Sequence, residues 1–381
     1  MQIQGHATAV LDYPAATSMA LTPPPHTRAP REAHRIDEAA LARWISEHVE
    51  GAGGAAVTVR QFQGGQSNPT YWIGVEDGEA GAQELVLRKK PPGDLLPSAH
   101  AVEREYRVMR ALAGTDVPVP PALALCEDAS ILGTPFFMMR YVTGRIFWDP
   151  QLPELPDAPS RRAVYAEILR ALAALHRVDP AAVGLGDYGK VGAFVERQVQ
   201  RWSRQYEASR TGEVPAMDAL MAWLARNVPA NDETTLIHGD YRIDNMIFAP
   251  EISGQGARAL AILDWELSTL GHPVSDLAYW CMAYYLNLPG RGSLMNVDFA
   301  ATGIPSEDEF VQQYCQLTGR GSLEGWPYFL AFGIFRLAAI AQGVYKRSLL
   351  GNASSENAGL FGDAVGLLAD TGCRIAGIKP G

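Results

Sequence analysis

The sequence predicts an α+β protein of two lobes, a small N-lobe built on an antiparallel sheet plus a helix and a large, mainly helical C-lobe. Three strand-like segments rich in β-branched and aromatic residues, joined by glycine-containing turns, lie within residues 56–90. Long runs of helical periodicity dominate after residue 142. Because 381 residues suffice for two cores, we expect an irregular N-terminal tail at 1–34, an N-lobe at 35–141 and a C-lobe at 142–381.

The composition is that of an ordinary soluble protein, with 19% charged and 47% apolar residues. The 42 acidic side chains outnumber the 32 basic ones, which argues against a nucleic-acid-binding protein. The four cysteines are widely spaced and show no metal-ligand spacing, and no basic residue precedes Arg28, as a secretory signal would require. We therefore expect a cytoplasmic protein without structural zinc.

The N-terminal elements follow from local start and stop signals. Asp37 is a good N-cap for the helix EAALARWISEHVEG, whose apolar face comprises Leu41, Trp44, Ile45 and His48. Strands AVTVRQF, TYWIGVED and ELVLRKK come next, and SAHAVEREYRVMRALAG predicts a second helix with one stripe of Val102, Tyr106, Met109 and Ala113. Two further strands, ALALCED and PFFMMRYV, flank a turn at ASILGT.

The C-terminal half is predicted as helices around two strand-containing segments, LIHGDYRIDNMIF and ALAILDWELSTLGHP. One helical stretch, Trp326 to Tyr345, is apolar over the length that spans a bilayer. Arg336 at its centre would cost about 3 kcal/mol on insertion scales. We therefore interpret this stretch as a buried helix, with a membrane-anchored C-lobe as the alternative.

Oxygen-bearing side chains converge in the pattern His238-Gly239-Asp240-x-x-x-x-Asn245. The run AILDWE then delivers Asp264 at the end of a second strand. Carboxylate and amide oxygens suit Mg²⁺, which prefers a few protein oxygens together with phosphates and water. The same order of residues occurs in the protein-kinase catalytic loop and its metal-binding aspartate.

The predicted N-lobe supplies candidate phosphate and cation groups in the matching order. The turn GGQSN, with Gly65, Ser67 and Asn68, can direct backbone N–H groups toward phosphate oxygens, although an ordinary hairpin turn explains it too. At 100° per residue Glu105 falls on the buried face of its helix whereas Glu103 does not, and an inward carboxylate requires a partner. Arg88 at the strand end is our first choice for that cation and Lys89 the alternative.

Together, GGQSN, LVLRKK, Glu105, HGDYRIDN and LDWE resemble the aminoglycoside phosphotransferase and choline kinase superfamily of kinase-like small-molecule phosphotransferases. The segments GRIFWDP, RQVQRWSRQY and LDWELSTLGHPVSDLAYW look like the branch that includes the N-terminal kinase-like domain of acyl-CoA dehydrogenase family members 10 and 11. The resemblance covers roughly residues 36–375 and implies a bilobal protein-kinase-like fold.

The resemblance implies transfer of the γ-phosphoryl group from ATP to a hydroxyl, with Asp240 as the base and Asn245 and Asp264 holding Mg²⁺. Adenine would lie against Met139 and the backbone of Arg140 and Val142, which could instead be plain edge-strand residues. The resemblance makes Asp276 a brace for the catalytic loop. We interpret His238 as a second brace, and the roles of Arg242 and Asp244 stay open.

The related domains of this branch act on hydroxyacyl-CoA or hydroxy-fatty-acid substrates, so the resemblance implies a hydroxyacyl acceptor. Basic and aromatic side chains on one predicted helix suit such an anionic, partly apolar molecule, namely Arg197, Arg201, Trp202, Arg204 and Tyr206. An ordinary solvated helix face is an equally good reading of them. An aminoglycoside or amino-alcohol kinase and a non-catalytic nucleotide-binding pseudokinase are the alternative functions, and the oligomeric state stays open.

Overall fold

The computed structural model describes residues 21–52, 56–63, 68–78, 81–93, 100–287, 292–350 and 360–379. They form two compact units. The first ends at Gly144 and also includes Leu260–Glu266, and the second comprises Arg145–Ala259 and the chain from Leu267 onward. The segment around Asp264 therefore belongs with the N-terminal unit, which a linear division of the chain did not predict. Its strand is held there in part by Ile262, whose N–H donates to Pro118 O at 2.8 Å.

The N-terminal unit contains a six-stranded antiparallel sheet in the order β1-β2-β3-β4-β6-β5. Its strands are Thr27–Arg28, Ala56–Phe62, Thr70–Gly78, Gly81–Lys89, Ala122–Cys126 and Phe136–Arg140, numbered β1 to β6 along the chain. The first strand lies within the segment predicted as a mostly irregular tail at 1–34, where Thr27 pairs with Phe62 of β2. Residues 1–20 of that tail lie outside the described part of the chain.

Within the described residues, three α-helices accompany this sheet: α1 (Glu38–His48), α2 (Val102–Leu112) and α3 (Ala129–Leu132). Asp37 caps α1 by accepting a hydrogen bond from Ala40 N. His48 was predicted on the buried face of α1 but is exposed, with its ring stacked on Trp44 at 4.6 Å. The turn predicted at ASILGT is instead α3, because the Asp128 side chain accepts from Ser130 N and so caps a short helix.

The buried face of α2 is centred on Glu105 rather than on the predicted stripe. Tyr106 is only half-buried and Ala113 is exposed. At 100° per residue the predicted stripe lies to one side of the centre of the buried face, and Ala113 is the C-cap residue beyond the last turn of α2. The side chains that α2 buries are Val102, Glu105, Val108, Met109 and Leu112.

The described chain after Gly144 contributes eight helices and four short strands. The helices α4 to α11 are Ala158–Arg177, Phe194–Ser209, Pro215–Arg226, Val274–Cys281, Phe299–Thr302, Glu307–Thr318, Trp326–Leu349 and Leu360–Ala376. The strands β7 to β10 are Thr235–Ile237, Met246–Phe248, Ala259–Ile262 and Thr269–Gly271. β7 pairs antiparallel with β10, and this pairing holds the chain just before the HGD motif.

The helix α10 contains Trp326 to Tyr345, the stretch predicted to be a buried helix. The helix has the length and hydropathy of a membrane span, and 72% of its most apolar 18 residues are buried inside the protein. Among the described helices, α11, α5 and α7 pack against it. These contacts cover the apolar side chains of α10 and are those expected of a core helix.

Candidate functional site

The HGD motif lies on a short loop held by apolar anchors at both ends. Leu236 and Ile237 of β7 precede it, and after a 3₁₀ turn at Ile243–Asn245 the chain enters β8 at Met246. Leu236 and Met246 are both fully buried. Because both ends are pinned in the core, the polar side chains between them have little freedom to move.

Both carboxylate oxygens of Asp240 have a partner on the same loop. Arg242 Nε lies 3.2 Å from Oδ1. Asn245 Nδ2 lies 3.2 Å from Oδ2 and also donates to the main-chain oxygen of Asp240 at 2.9 Å. The Asn245 amide nitrogen is thus used within the loop, which leaves its side-chain oxygen as the group able to ligate a cation.

Arg242 also reaches Asp244, with Nη2 3.3 Å from Oδ2. Arg242 therefore lies between two carboxylates, Asp240 and Asp244. All three side chains are about four-fifths buried, with 17–20% of their surface exposed. The sequence left the roles of Arg242 and Asp244 open. These contacts suit a structural role, in which Asp244 holds Arg242 and Arg242 orients the carboxylate of Asp240.

A buried carboxylate holds the backbone of the loop. Asp276, on α7, accepts hydrogen bonds from His238 N at 2.6 Å and Gly239 N at 2.8 Å. Burial opposes the charge of Asp276, but hydrogen bonding and charge from His176 hold its pKa below the usual value. His176 Nδ1 lies 2.7 Å from Tyr314 Oη, which continues this buried polar chain away from the loop. These contacts are those of the brace that the resemblance implied.

Contacts within the structure explain why histidine and glycine occupy positions 238 and 239. His238 is fully buried, and its Nδ1 accepts from Asp240 N at 3.2 Å, in agreement with the bracing role predicted for it. Gly239 has φ +82°, and a Cβ there would lie 2.6 Å from Leu267 O. No other residue fits this position without moving the backbone.

In the N-terminal unit, Arg88 binds the predicted carboxylate. Its Nε lies 2.8 Å from Glu105 Oε2 and its Nη2 lies 2.6 Å from Asp264 Oδ1, with Glu266 at 3.8 Å. Burial opposes the charge of Arg88, but these carboxylates raise its pKa above the usual value. Burial raises the pKa of Glu105 to about 7, with Arg88 acting in the opposite direction. Arg88 is therefore a permanent cation between acidic groups.

Lys89 lies on the other side of β4 and takes no part in the Glu105 pair, as strand alternation requires. It is half-buried, and burial lowers its pKa. Lys90 Nζ instead pairs with Glu103 Oε1 at 2.9 Å. The structure thus selects Arg88 from the two cations that the sequence left open.

Asn68 supports Glu105 instead of presenting its side chain for a ligand. It is 2% exposed, donates from Nδ2 to Glu105 Oε1 at 2.9 Å and has His100 Nδ1 3.1 Å from its Oδ1. The other two residues predicted to contact phosphate, Gly65 and Ser67, lie outside the described residues. Among the described residues, the backbone of Asn68 stays a candidate for the predicted phosphate contact, and the contacts of Gly65 and Ser67 stay predictions.

Asp264 follows β9 in a left-handed backbone conformation with φ +64°. Aspartate is among the few residues that tolerate this region, and such backbone outliers cluster at functional sites. The described residues contain no group of three or more His, Cys, Asp or Glu suited to hold a metal ion. An ion at Asp264 would therefore need further oxygens, such as those of a nucleotide.

The predicted adenine contacts lie at the end of β6. Met139 is buried there, and Val142 follows the strand. The N–H of Arg140 donates to Pro121 O at 2.9 Å, and its side chain binds Gln83 at 2.7 Å. The N–H of Arg140 is thus used within the sheet, so a nucleotide would have to use the backbone of Val142 or the Arg140 carbonyl.

The basic and aromatic residues predicted on α5 separate into two groups. Tyr206 is fully buried, and Arg197 donates to the carbonyls of Gly192 and Lys190, so neither is available to an acceptor. Arg201 and Arg204 are exposed, and Trp202 is half-buried. Of the five side chains predicted to contact the acceptor, Arg201, Trp202 and Arg204 are therefore the three that an acceptor could reach.

Sequence reasoning missed a narrow cavity of about 80 Å³ beside the HGD loop. Its lining is aromatic and aliphatic apart from one cation and one carboxylate, and includes Trp148, Tyr241, Arg242, Asp244, Tyr279 and Met282. The side chain of Trp148 is 63% exposed, which is unusual for an indole.

The prediction also missed the contact of Arg336 with the HGD loop, in which Arg336 Nη1 donates to Gly239 O at 3.0 Å. The signal for this contact in the sequence is a charged residue in the middle of an apolar helix, which requires a polar partner.

Known proteins resemble the chain over most of its length. It is 48% identical to acyl-CoA dehydrogenase family member 10 of Mus musculus over 337 residues, which cover 88% of this chain and 30% of that protein. It is 43% identical to acyl-CoA dehydrogenase family member 11 of Rattus norvegicus, over 90% of this chain and 44% of that protein. The chain thus spans less than half the length of these two relatives.

A crystal structure from Ralstonia eutropha, provisionally described as an aminoglycoside phosphotransferase, is 45% identical, with a TM-score of 0.80 over 90% of this chain and 99% of that one. The ternary complex of APH(4)-Ia with AMP-PNP and hygromycin B shares the fold at 16% identity, with a TM-score of 0.55 over 88% of this chain and 99% of that one. The family model of the phosphotransferase enzyme family, APH, matches residues 58–326. The kinase-like α+β fold and the family predicted from the motifs are confirmed: the chain belongs to the APH phosphotransferase enzyme family.

Proposed function

We propose that this protein transfers the γ-phosphoryl group of ATP to a hydroxyl of a small anionic molecule, with Asp240 as the base. The observation that carries this proposal is the setting of the Asp240 carboxylate, held between Arg242 and Asn245 on a loop whose backbone Asp276 binds. A protein that only binds nucleotide has no need for a carboxylate oriented in this way. The pseudokinase alternative is therefore the weaker one.

Asp240 has a limited chemical task in this proposal. Phosphoryl transfer is accelerated mainly by positioning and charge neutralisation, so a weak base suffices. The carboxylate accepts the hydroxyl proton late in the reaction and orients the attacking oxygen. Arg242 and Asn245 keep the carboxylate in one orientation, so little motional freedom is lost when the acceptor binds.

The residues proposed for Mg²⁺ have suitable chemistry. Asn245 keeps its side-chain oxygen, and Asp264 is one-third exposed with Oδ2 outside its bond to Arg88. Such hard oxygens, with water and nucleotide phosphates, match the ligand set that Mg²⁺ prefers. The bound ion would supply neutralisation of phosphate charge. Arg88, held by Glu105, adds a fixed positive charge in the N-terminal unit.

The acceptor that fits the second unit best is anionic and partly apolar, such as a hydroxyacyl-CoA or a hydroxy acid. The cavity beside the loop offers Trp148, Tyr279 and Met282 to an aliphatic chain, and Arg242 lines the same cavity. A polycationic aminoglycoside would need more carboxylates than Asp244 supplies. The relatives named as acyl-CoA dehydrogenase family members support an acyl acceptor as well.

The four cysteines are buried free thiols, which fit a reducing compartment, and we propose that the protein is cytoplasmic.

Acceptor-dependent release of ADP tests this function directly. Purified protein with Mg²⁺-ATP is screened against hydroxyacyl-CoAs, hydroxy acids, amino alcohols and aminoglycosides, and the product is identified by mass. We expect turnover with the first two classes, a loss of about 10²- to 10⁴-fold in Asp240→Asn and unchanged nucleotide affinity. Binding of Mg²⁺-ATP without phosphorylation of any acceptor would instead support the pseudokinase, and turnover confined to aminoglycosides would overturn the acceptor class.

A further inference from the structure

The peptide groups on either side of Gly239 are held by two side chains of opposite charge. Asp276 Oδ1 accepts from Gly239 N at 2.8 Å. Arg336 Nη1 donates to Gly239 O at 3.0 Å. The carbonyl that Arg336 binds belongs to the peptide bond that leads into Asp240. Its orientation therefore bears directly on where the Asp240 carboxylate points.

Gly239 lies against a neighbouring stretch of backbone. It has φ +82°, and a Cβ built there would lie 2.6 Å from Leu267 O, so the loop has no room for a side chain at this position. Asp240 N is bound to His238 Nδ1 at 3.2 Å. A shift of the Gly239 carbonyl would turn the whole Gly239–Asp240 peptide group, break the hydrogen bond from Asp240 N and so move Asp240.

Three helices fix the guanidinium of Arg336. It is carried by α10, and its Cζ lies 5.6 Å from the ring centroid of Trp202 on α5 and 5.4 Å from that of Tyr279 on α7. A planar guanidinium packs against aromatic rings in a way that an ammonium does not. The two rings therefore hold Arg336 in one orientation, with one N–H directed at the loop.

We propose that Arg336 is a positioning residue for Asp240, fixing the carbonyl of Gly239 so that the base keeps the orientation needed for transfer. This inference rests on the proposed function in naming Asp240 as the base. It also assigns a reason for a cation in the middle of a helix whose other central residues are mostly apolar. Trp202 and Tyr279 serve the loop indirectly in this proposal, by orienting Arg336.

The test compares Arg336→Met and Arg336→Lys with Lys346→Met. Lys346 is a matched control because it lies on the same helix and donates to a backbone carbonyl, that of Ala208 at 2.8 Å, away from the loop. We expect kcat to fall about 10- to 100-fold in Arg336→Met with KM for ATP unchanged. Arg336→Lys should be intermediate, because an ammonium can donate to Gly239 O but is not held by the rings. Equal kcat values for Arg336→Met and Lys346→Met would overturn the proposal.

Amide hydrogen exchange provides a second measurement that needs no acceptor. Arg336→Met should speed amide exchange in residues 238–241 and leave exchange in α7 and α10 unchanged. Faster exchange throughout the second unit would instead show a general loss of stability and would count against a positioning role. If the wild-type protein phosphorylates no acceptor, the proposed function fails, while unchanged exchange at 238–241 in Arg336→Met would refute the Arg336 contact separately.

Discussion

Arg88 and Asp264 lie 176 positions apart in the chain, yet Arg88 Nη2 is 2.6 Å from Asp264 Oδ1. The same guanidinium binds Glu105 at 2.8 Å. The cation predicted for the nucleotide and an aspartate predicted for the metal are therefore direct neighbours. A ligand that used Asp264 Oδ1 would have to compete with Arg88 for that oxygen.

Replacing Arg88 by methionine should destabilise the protein through the carboxylate left behind. Glu105 is 2% exposed, and removing one partner of a buried ion pair typically costs about 3 to 5 kcal/mol. Because burial already raises the pKa of Glu105 to about 7, protonation can relieve part of this cost in acid. Urea unfolding should thus show a larger loss at pH about 8 than at pH about 6.

Lys90→Met is the control for that measurement. Lys90 pairs with Glu103, and their side chains are 22% and 38% exposed. Exposed ion pairs contribute about 0 to 1 kcal/mol, so this variant should be nearly as stable as the wild type. Similar losses in the two variants would contradict the importance assigned to the buried Arg88–Glu105 pair.

Gly239→Ala should damage both stability and turnover. A Cβ would lie 2.6 Å from the backbone oxygen of Leu267, and the residue has φ +82°. Gly114→Ala is a matched control, because Gly114 has φ +85° but nothing lies within 4 Å of a Cβ there. We expect the control to lose about 1 kcal/mol from backbone strain alone. Gly239→Ala should lose more, and its kcat should fall as well. Equal thermal unfolding and kcat in the two variants would show that the loop accommodates a side chain.

Acid should destabilise the protein through His272. This side chain is 2% exposed, its ring lies 4.5 Å from that of Phe329, and burial lowers its pKa from 6.5 to about 4. Between these values the unfolded state binds the proton more readily, so the stabilisation is present above pH 6.5 and is lost as the pH falls toward 4. Relative to His272→Asn, the wild type should lose on the order of 3 kcal/mol over this interval. Parallel curves of unfolding free energy against pH for the two proteins would refute the assignment.

Trp148→Ala tests the cavity as the site of the acceptor. Trp148 is 63% exposed, so its removal should leave thermal stability almost unchanged. Loss of its contact with an acyl chain should raise KM for the acceptor about 5- to 30-fold, while KM for ATP stays constant. Leu367→Ala removes a side chain of similar exposure, 66%, from α11 and should affect neither constant. An unchanged acceptor KM in Trp148→Ala would place the acceptor elsewhere.

The sequence predicted most elements of the N-terminal unit because each carries its own local signal. The Asp37 cap, the alternating strands β2 to β4 and the inward position of Glu105 are local consequences of side-chain order. The errors at His48 and at α3 concern residues whose burial or capping depends on one neighbour, Trp44 or Asp128. Patterns average over several positions and do not resolve such single contacts.

The sequence by itself determined the family, the order of the motifs and the residue types available for phosphoryl transfer, because these depend on spacing along the chain. Only the tertiary structure decided which groups meet: Arg88 rather than Lys89 binds Glu105, Arg242 lies between Asp240 and Asp244, and Arg336 binds the loop. The physical reason is that a hydrogen bond or ion pair requires two atoms within about 3 Å. The packing of helices and strands that are distant in sequence sets that distance, and local periodicity does not predict it.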